Sequence, residues 1–112
     1  MTINDQLDEF LASRKSNSWL RTKELGVYVR KGQRLIDGVY TNTLDIANIQ
    51  QSDQFIGQGH FKSFMLYAES KGEPIFVECI HNPKLVTMLE KNGYTIIHKD
   101  HATHALKVYN HG

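Results

Sequence analysis

Residues 57–61, Gly57-Gln58-Gly59-His60-Phe61, lead directly into an apolar stripe formed by Phe61, Phe64, Met65 and Ala68 at i, i+3, i+4 and i+7. The spacing predicts a helix whose leading amides, around Gly57, Gln58, Gly59, His60 and Phe61, have no carbonyl to bond within the helix. Two positions without a Cβ let a ligand approach that backbone closely. The helix dipole adds partial positive charge, so the loop suits a phosphate or pyrophosphate. It lacks the Gly-Lys-Ser/Thr of a nucleotide-triphosphate loop and the third glycine of a dinucleotide fingerprint. Taken alone, Gly-x-Gly fits a plain connecting turn equally well.

Two carboxylates sit inside otherwise apolar segments: Asp45 in Leu44-Asp45-Ile46-Ala47-Asn48-Ile49, and Glu78 in Ile75-Phe76-Val77-Glu78-Cys79-Ile80. Burial disfavours a carboxylate's charged form, which makes both candidates for general-base work. Each also fits a side chain that simply reaches solvent or pairs with a cation. Asn48 and Asn82 can orient a ligand or a water, although Asn82 before Pro83 is equally a helix cap. Cys79 reads as a small core residue, and a single cysteine excludes an intrachain disulfide and a Cys-rich zinc site. Four of the six histidines, His98, His101, His104 and His111, cluster near the C-terminus. A hairpin there would place His98 and His104 on one face, with His101 turned away. No carboxylate or cysteine supports them, so no metal is expected. Trp19 and Tyr28 read as core or pocket wall.

The elements that position these residues follow from periodicity. Ile3, Leu7, Phe10 and Leu11 predict a helix over 3–14, with Thr2 and Asp5 as a capping pair. Ser16-Asn17-Ser18 reads as a break. Residues 25–30 and 33–36 read as strands around a turn at Lys31-Gly32. Asp37-Gly38 makes the next turn, and a longer strand runs from Tyr40 to about Gln50. After the Gly loop and its helix, Ile75 to Ile80 reads as a central strand. A helix opens at Asn82-Pro83, with Leu85, Met88 and Leu89 on its apolar side, and ends at Asn92-Gly93. Tyr94 to His98 and Ala102 to Tyr109 close the chain as strands around Lys99-Asp100. The predicted fold is a mixed α/β domain spanning 1–112: a mixed sheet with helices on its faces. A right-handed crossover joins its parallel strands between residues 41 and 80.

The composition permits one such domain. The 112 residues are 40% hydrophobic and 22% charged, with a formal net charge of +1. That balance argues against nucleic acid as a partner. The exception is residues 14–34, where Arg14, Lys15, Arg21, Lys23, Arg30, Lys31 and Arg34 face only Glu24. This stretch reads as solvated faces or as a surface for an acidic partner. The first residues carry no secretory pattern and no segment is apolar enough to span a membrane, so a cytoplasmic location is expected.

From about Leu25 to Tyr109 the chain resembles the GNAT superfamily of acyl-CoA-dependent N-acetyltransferases. Leu44 to Ile49, followed by Phe55-Ile56-Gly57-Gln58-Gly59-His60-Phe61, is similar to the superfamily's fourth strand and pyrophosphate loop. Ile75 to Tyr94, ending Leu89-Glu90-Lys91-Asn92-Gly93-Tyr94, is similar to its fifth strand and fourth helix. The usual loop signature, Gln/Arg-x-x-Gly-x-Gly/Ala, fits Gln54-x-x-Gly57-x-Gly59. A second register puts Ile56 at the polar position and Phe61 at the last small one.

The resemblance implies acetyl-CoA as cosubstrate, without a metal, and a primary amine of a small molecule or protein as acceptor. It places acetyl-CoA between the two splayed central strands. Backbone amides near Asn48, Ile49 and Gln50 would polarise the thioester carbonyl, an effect of about 3 kcal/mol. The amides around Gly57–Phe61 would hold the pyrophosphate, and Asn82 would orient the pantetheine. Glu78, Asp45 or Asn48 would serve the acceptor amine. Two departures bear on activity. Leu89 stands seven residues after Asn82, where many members carry the Tyr that protonates the leaving thiolate. The N-terminal part that usually shapes the acceptor pocket is short, which leaves room for a partner subunit, as in a homodimer. The alternative is a GNAT-like binding or regulatory module without efficient catalysis that acts through a protein partner.

Overall fold

Thr2 and Asp5 close a capping box: the Thr2 hydroxyl accepts from the Asp5 N–H at 3.1 Å, and the Asp5 carboxylate accepts from the Thr2 N–H at 3.3 Å. The box starts helix α1 (Ile3–Ala12). The helix stops short of the expected Arg14 because Ser13 turns both its N–H and its hydroxyl onto the Phe10 carbonyl, at 3.1 and 2.7 Å. The structure, a computed structural model, describes residues 1–51, 53–55 and 57–108. Ile56, Tyr109 and His111, each given a place by the sequence pattern, lie outside the described residues.

Three antiparallel strands follow: β1 (Asn17–Arg21), β2 (Gly26–Ile36) and β3 (Val39–Gln50). Two expectations are corrected. The supposed break at Ser16–Ser18 opens β1, whose Trp19 pairs with Tyr28 across the strands, the rings 5.3 Å apart. Lys31-Gly32 is not a turn, because β2 runs through it unbroken. Gly32 is needed instead for close packing: a Cβ there would come within 2.5 Å of the Asp45 Oδ2. The turn at Asp37-Gly38 is as expected, with φ of 50° and 80°.

Helix α2 (His60–Glu69), strand β4 (Ile75–Val77), helix α3 (Pro83–Lys91) and the hairpin β5 (Thr95–Lys99) and β6 (Ala102–Lys107) complete the chain. The six strands form one mixed sheet in the order β1-β2-β3-β4-β6-β5, with β3 and β4 parallel and the other neighbours antiparallel. The domain is thus mixed α/β. The connections β3-α2-β4 and β4-α3-β5 advance in the same direction across the sheet, so two right-handed crossovers place α2 and α3 on the same side. Lys107 ties them there, its ammonium bonding the Glu69 carboxylate of α2 and the Asn92 carbonyl that ends α3. The core joins Leu7 and Phe10 of α1, Phe64 and Met65 of α2 and Leu89 of α3 to Val29, Ile46, Val77 and Ala105 of the sheet.

The C-terminal hairpin differs from expectation in its register. Asp100 and His101, with φ of 53° and 63°, form the turn, and Ile97 pairs with His104 while His98 pairs with Thr103. His98 and His104 therefore lie on opposite faces. Among the described residues, no group of three His, Cys, Asp or Glu side chains could hold a metal ion, and no helix is long and apolar enough to cross a membrane.

Helices α1 and α2 are joined by a surface triad. The Tyr67 hydroxyl donates to the Asp8 carboxylate at 2.5 Å, and Lys71 reaches Asp8 at 2.6 Å and the Tyr67 oxygen at 3.0 Å. The Lys71 hydrogen bond, and then that from Tyr67, lowers the Asp8 pKa below its ordinary 3.8. The hydrogen bond to Asp8 raises that of Lys71 above 10.5. The triad's contribution is therefore complete between these two ordinary values. It is lost on the acid side as Asp8 protonates below 3.8, and on the alkaline side as Lys71 loses its proton above 10.5. Urea denaturation of Asp8→Asn beside the parent chain should show a small stability deficit near pH 6. That deficit should shrink toward zero as the pH falls below the Asp8 value.

Candidate functional site: a cleft between parallel strands

The cleft arises where β3 and β4 part. They pair at Leu44–Ile75, Asp45–Phe76 and Ile46–Val77, and the Glu78 N–H donates a last bond to the Ile46 carbonyl at 3.0 Å. Beyond that point β3 continues to Gln50 with no β4 beside it. Cys79 is what turns the chain away: its φ of 54° lies in the left-handed region. Its N–H donates to His104 Nδ1 at 3.2 Å, and that ring stacks on Phe76. The expected strand over 75–80 is thus cut to three residues, and Cys79, expected in the core, is exposed.

The resulting hollow of ≈ 300 Å³ is lined by Asn48, Ile49, Phe61, Glu78, Cys79 and Asn82, among others. Its walls are mostly apolar, with a few polar groups converging, as in small-molecule sites. Five of the residues singled out from the sequence meet here: Asn48, Ile49, Phe61, Glu78 and Asn82. Asn82 also caps α3, its side chain accepting from the Lys84 N–H at 2.9 Å. The structure adds Cys79 and His81. Cys79 had read as a core residue of a strand continuing to Ile80, and His81, just beyond that strand, carried no sequence signal.

Phe61 connects the cleft to the glycine loop. Gly57 and Gly59 both have positive φ, 84° and 80°, and Gly59 is the N-cap of α2 without any side-chain cap. The loop is braced by its glutamines. Gln58 donates to the Gln54 carbonyl at 2.9 Å and Gln51 to the Phe55 carbonyl at 3.1 Å, while His60 Nε2 lies 3.2 Å from the Gln58 side-chain oxygen. A Cβ at Gly57 or Gly59 would meet nothing within 4 Å, so the space outside the helix mouth is open. Gln50 sits away from the cleft, lining a separate hollow with Arg21 and Gly26.

The two candidate bases separate in role. Asp45 does not line the cleft. It is 4% exposed and accepts from Arg34 at 2.9 Å and from the Thr43 hydroxyl at 2.8 Å, with Arg30 at 3.7 Å. Glu78 is ion-paired with Arg30, with Arg34 at 3.8 Å, and borders the cleft. Arg34 also lies over the Phe76 ring, 3.5 Å from its centre. These four charges lie on the sheet face turned away from the helices and cover it. They also cancel two cations of the basic stretch, and Lys31 is engaged by the Ser13 carbonyl at 2.5 Å. No protein-family model, curated protein or solved structure matches this chain.

Proposed function

We propose that the chain is a GNAT-like N-acetyltransferase that binds acetyl-CoA in the cleft and transfers its acetyl group to a primary amine. The observation that carries the reading is the parting of parallel strands β3 and β4 beside the Gly57–Gly59 mouth of α2. A hollow of ≈ 300 Å³ accommodates a pantetheine-sized arm and leaves the nucleotide outside, against the helix mouth. The leading amides and dipole of that mouth favour a pyrophosphate, although the Gln58 N–H already donates to the Phe55 carbonyl at 3.4 Å. Asn48, Ile49 and Asn82 line the path of the arm. Glu78, held by Arg30, is the cleft carboxylate available to take a proton from the acceptor amine.

One observation favours the rival reading of a binding module without efficient catalysis. Leu89, at the position of the usual proton donor, is 1% exposed within the core and cannot serve the cleft. Acetyl-CoA that binds while no amine is acetylated would select that rival.

Calorimetric titration with acetyl-CoA tests the site. Gly57→Val and Gly59→Val place side chains in open space at the helix mouth, so the fold should survive at a strain cost of about 1–2 kcal/mol. Each should weaken binding at least tenfold, since a hydrogen bond to a charged group contributes about 1.5–3 kcal/mol. Undiminished affinity in both variants would remove the loop from the site, and no binding by the parent chain would end the reading.

A further inference from the structure

The bend that opens the cleft hangs on one side chain. Residues 78–80 change partners within three positions. The Glu78 N–H still donates to β3, at the Ile46 carbonyl, whereas the Ile80 N–H donates to the Thr103 carbonyl of β6 at 2.8 Å. Between them, the Cys79 N–H donates to His104 Nδ1 at 3.2 Å, and Cys79 takes up its φ of 54°. A residue with a Cβ holds that conformation only where its surroundings impose it. Here the surroundings are the two bonds to β6, and the one made by Cys79 itself goes to a side chain.

That side chain is titratable. Nδ1 accepts, so the ring is neutral and carries its proton on Nε2. A second proton, on Nδ1, turns the acceptor into a donor and sets it against the Cys79 N–H. The charged groups facing the ring come from three strands. From β4, Glu78 follows Val77, the partner of Ala105, and so comes beside His104 in that register, with its carboxylate ion-paired to Arg30. From β2, Arg34 lies over Phe76, the ring on which His104 stacks. From β5, the partner Ile97 is apolar, and Lys99 lies one step along the same face.

We propose that His104 is the positioning residue of the cleft: its neutral ring holds Cys79 in the bend that parts β4 from β3, and protonation of the ring releases the bend. A released Cys79 returns to extended backbone, which continues β4 along β3. That takes up the space now lined by Asn48, Ile49 and Cys79. The cleft is thus open at neutral pH and closes in acid. The latch stands whatever the cleft binds, while its effect on acetyl-CoA rests on the function proposed above.

Two measurements on the full chain separate these. In proton–nitrogen correlation spectra between about pH 5 and 8, where imidazoles titrate, the Cys79 amide signal should move with the midpoint of the His104 ring. A Cys79 amide indifferent to that ring would overturn the proposal. The second is acetyl-CoA affinity by calorimetry. His104→Leu keeps bulk but removes the acceptor, and should weaken binding at neutral pH about tenfold, the size of one hydrogen bond. His104→Asn restores an acceptor that does not titrate, so it should rescue that loss. Toward pH 5 the parent should lose about tenfold relative to His104→Asn. His60 at the helix mouth and His81 in the cleft also gain charge there, but they are common to both proteins and drop out of the comparison. The effect is on affinity and vanishes at saturating acetyl-CoA, which sets it apart from a proton taken up by Glu78. Equal pH dependence in the parent and His104→Asn would overturn the proposal and leave the acetyl-CoA site standing. Absence of acetyl-CoA binding at every pH would end that site, and the amide titration would still decide the latch.

Discussion

Asp45→Ala is expected to destabilise the fold by about 2–3 kcal/mol, a large share of the margin of a domain this size. The carboxylate is nearly buried on a sheet face that no helix covers, and it is the acceptor around which that face is organised. Arg34 and the Thr43 hydroxyl both donate to it. Thr43 is itself only 2% exposed, so alanine leaves a buried hydroxyl without its acceptor. It also opens the space above Gly32 that the carboxylate fills. Breaking a fully buried pair costs about 3–5 kcal/mol. Here the Arg30 and Arg34 side chains are 38% and 31% exposed, so water recovers part of that loss. Asp45→Asn keeps the volume and should cost less. Gly32→Ala should be comparable to the alanine change, because its Cβ collides with the carboxylate. Urea denaturation followed by far-UV circular dichroism gives the comparison, and an Asp45→Ala midpoint equal to that of the parent chain would refute this account of the face.

The same cluster shows why some of this molecule was legible in the sequence and some was not. Features coded by near neighbours were readable. The Thr2/Asp5 box, the Phe61–Ala68 stripe, the Asp37-Gly38 turn and the Asn82-Pro83 helix start each depend on residues within a few positions. Gly32 was misread as a turn because the partner that requires a glycine there, Asp45, lies thirteen residues on and across a strand. The pairing of Glu78 with Arg30 spans 48 residues, so its carboxylate could be marked as unusual but not assigned a partner. The end of β4 was invisible for another reason. Ile75 to Ile80 is apolar almost throughout, and hydrophobicity does not report where a ladder stops. The stop is written in the backbone of Cys79 and in its bond to His104. In the C-terminal hairpin, Ile97 pairs with His104 and His98 with Thr103, so His98 and His104 lie on opposite faces; that relation is set by which residues pair across the turn and not by the spacing along the chain. The cleft was therefore legible as a set of residues, Asn48, Ile49, Phe61, Glu78 and Asn82, while the strand parting that makes it a cavity was not.

That division of labour between the two carboxylates yields the second large effect. On the proposed chemistry, Glu78→Gln is expected to lower kcat/KM for acetyl transfer by about 10²- to 10⁴-fold, the usual contribution of a positioned general base. Affinity for acetyl-CoA should be unchanged. Glu78 suits the role by position. It follows the last hydrogen bond between β3 and β4 and borders the cleft, and the Arg30 guanidinium fixes its carboxylate at the rim. Glutamine keeps the length and can still accept from Arg30, but it cannot take a proton from an amine. A purely structural role would appear differently. The Glu78 side chain is 23% exposed against 6% for Asp45, so losing its charge should cost the fold less than losing Asp45, and turnover should follow stability. The pH profile separates the two cases. With Glu78 as base, the acid limb of kcat/KM that it sets in the parent should vanish in Glu78→Gln. With Glu78 as a structural residue only, both limbs should persist at reduced height. Asp45→Asn is the matching control: being outside the cleft, it should lower stability while leaving the shape of the profile intact. A Glu78→Gln protein that retains parental kcat/KM would remove the residue from the chemistry and strengthen the reading of a cleft that binds without catalysing.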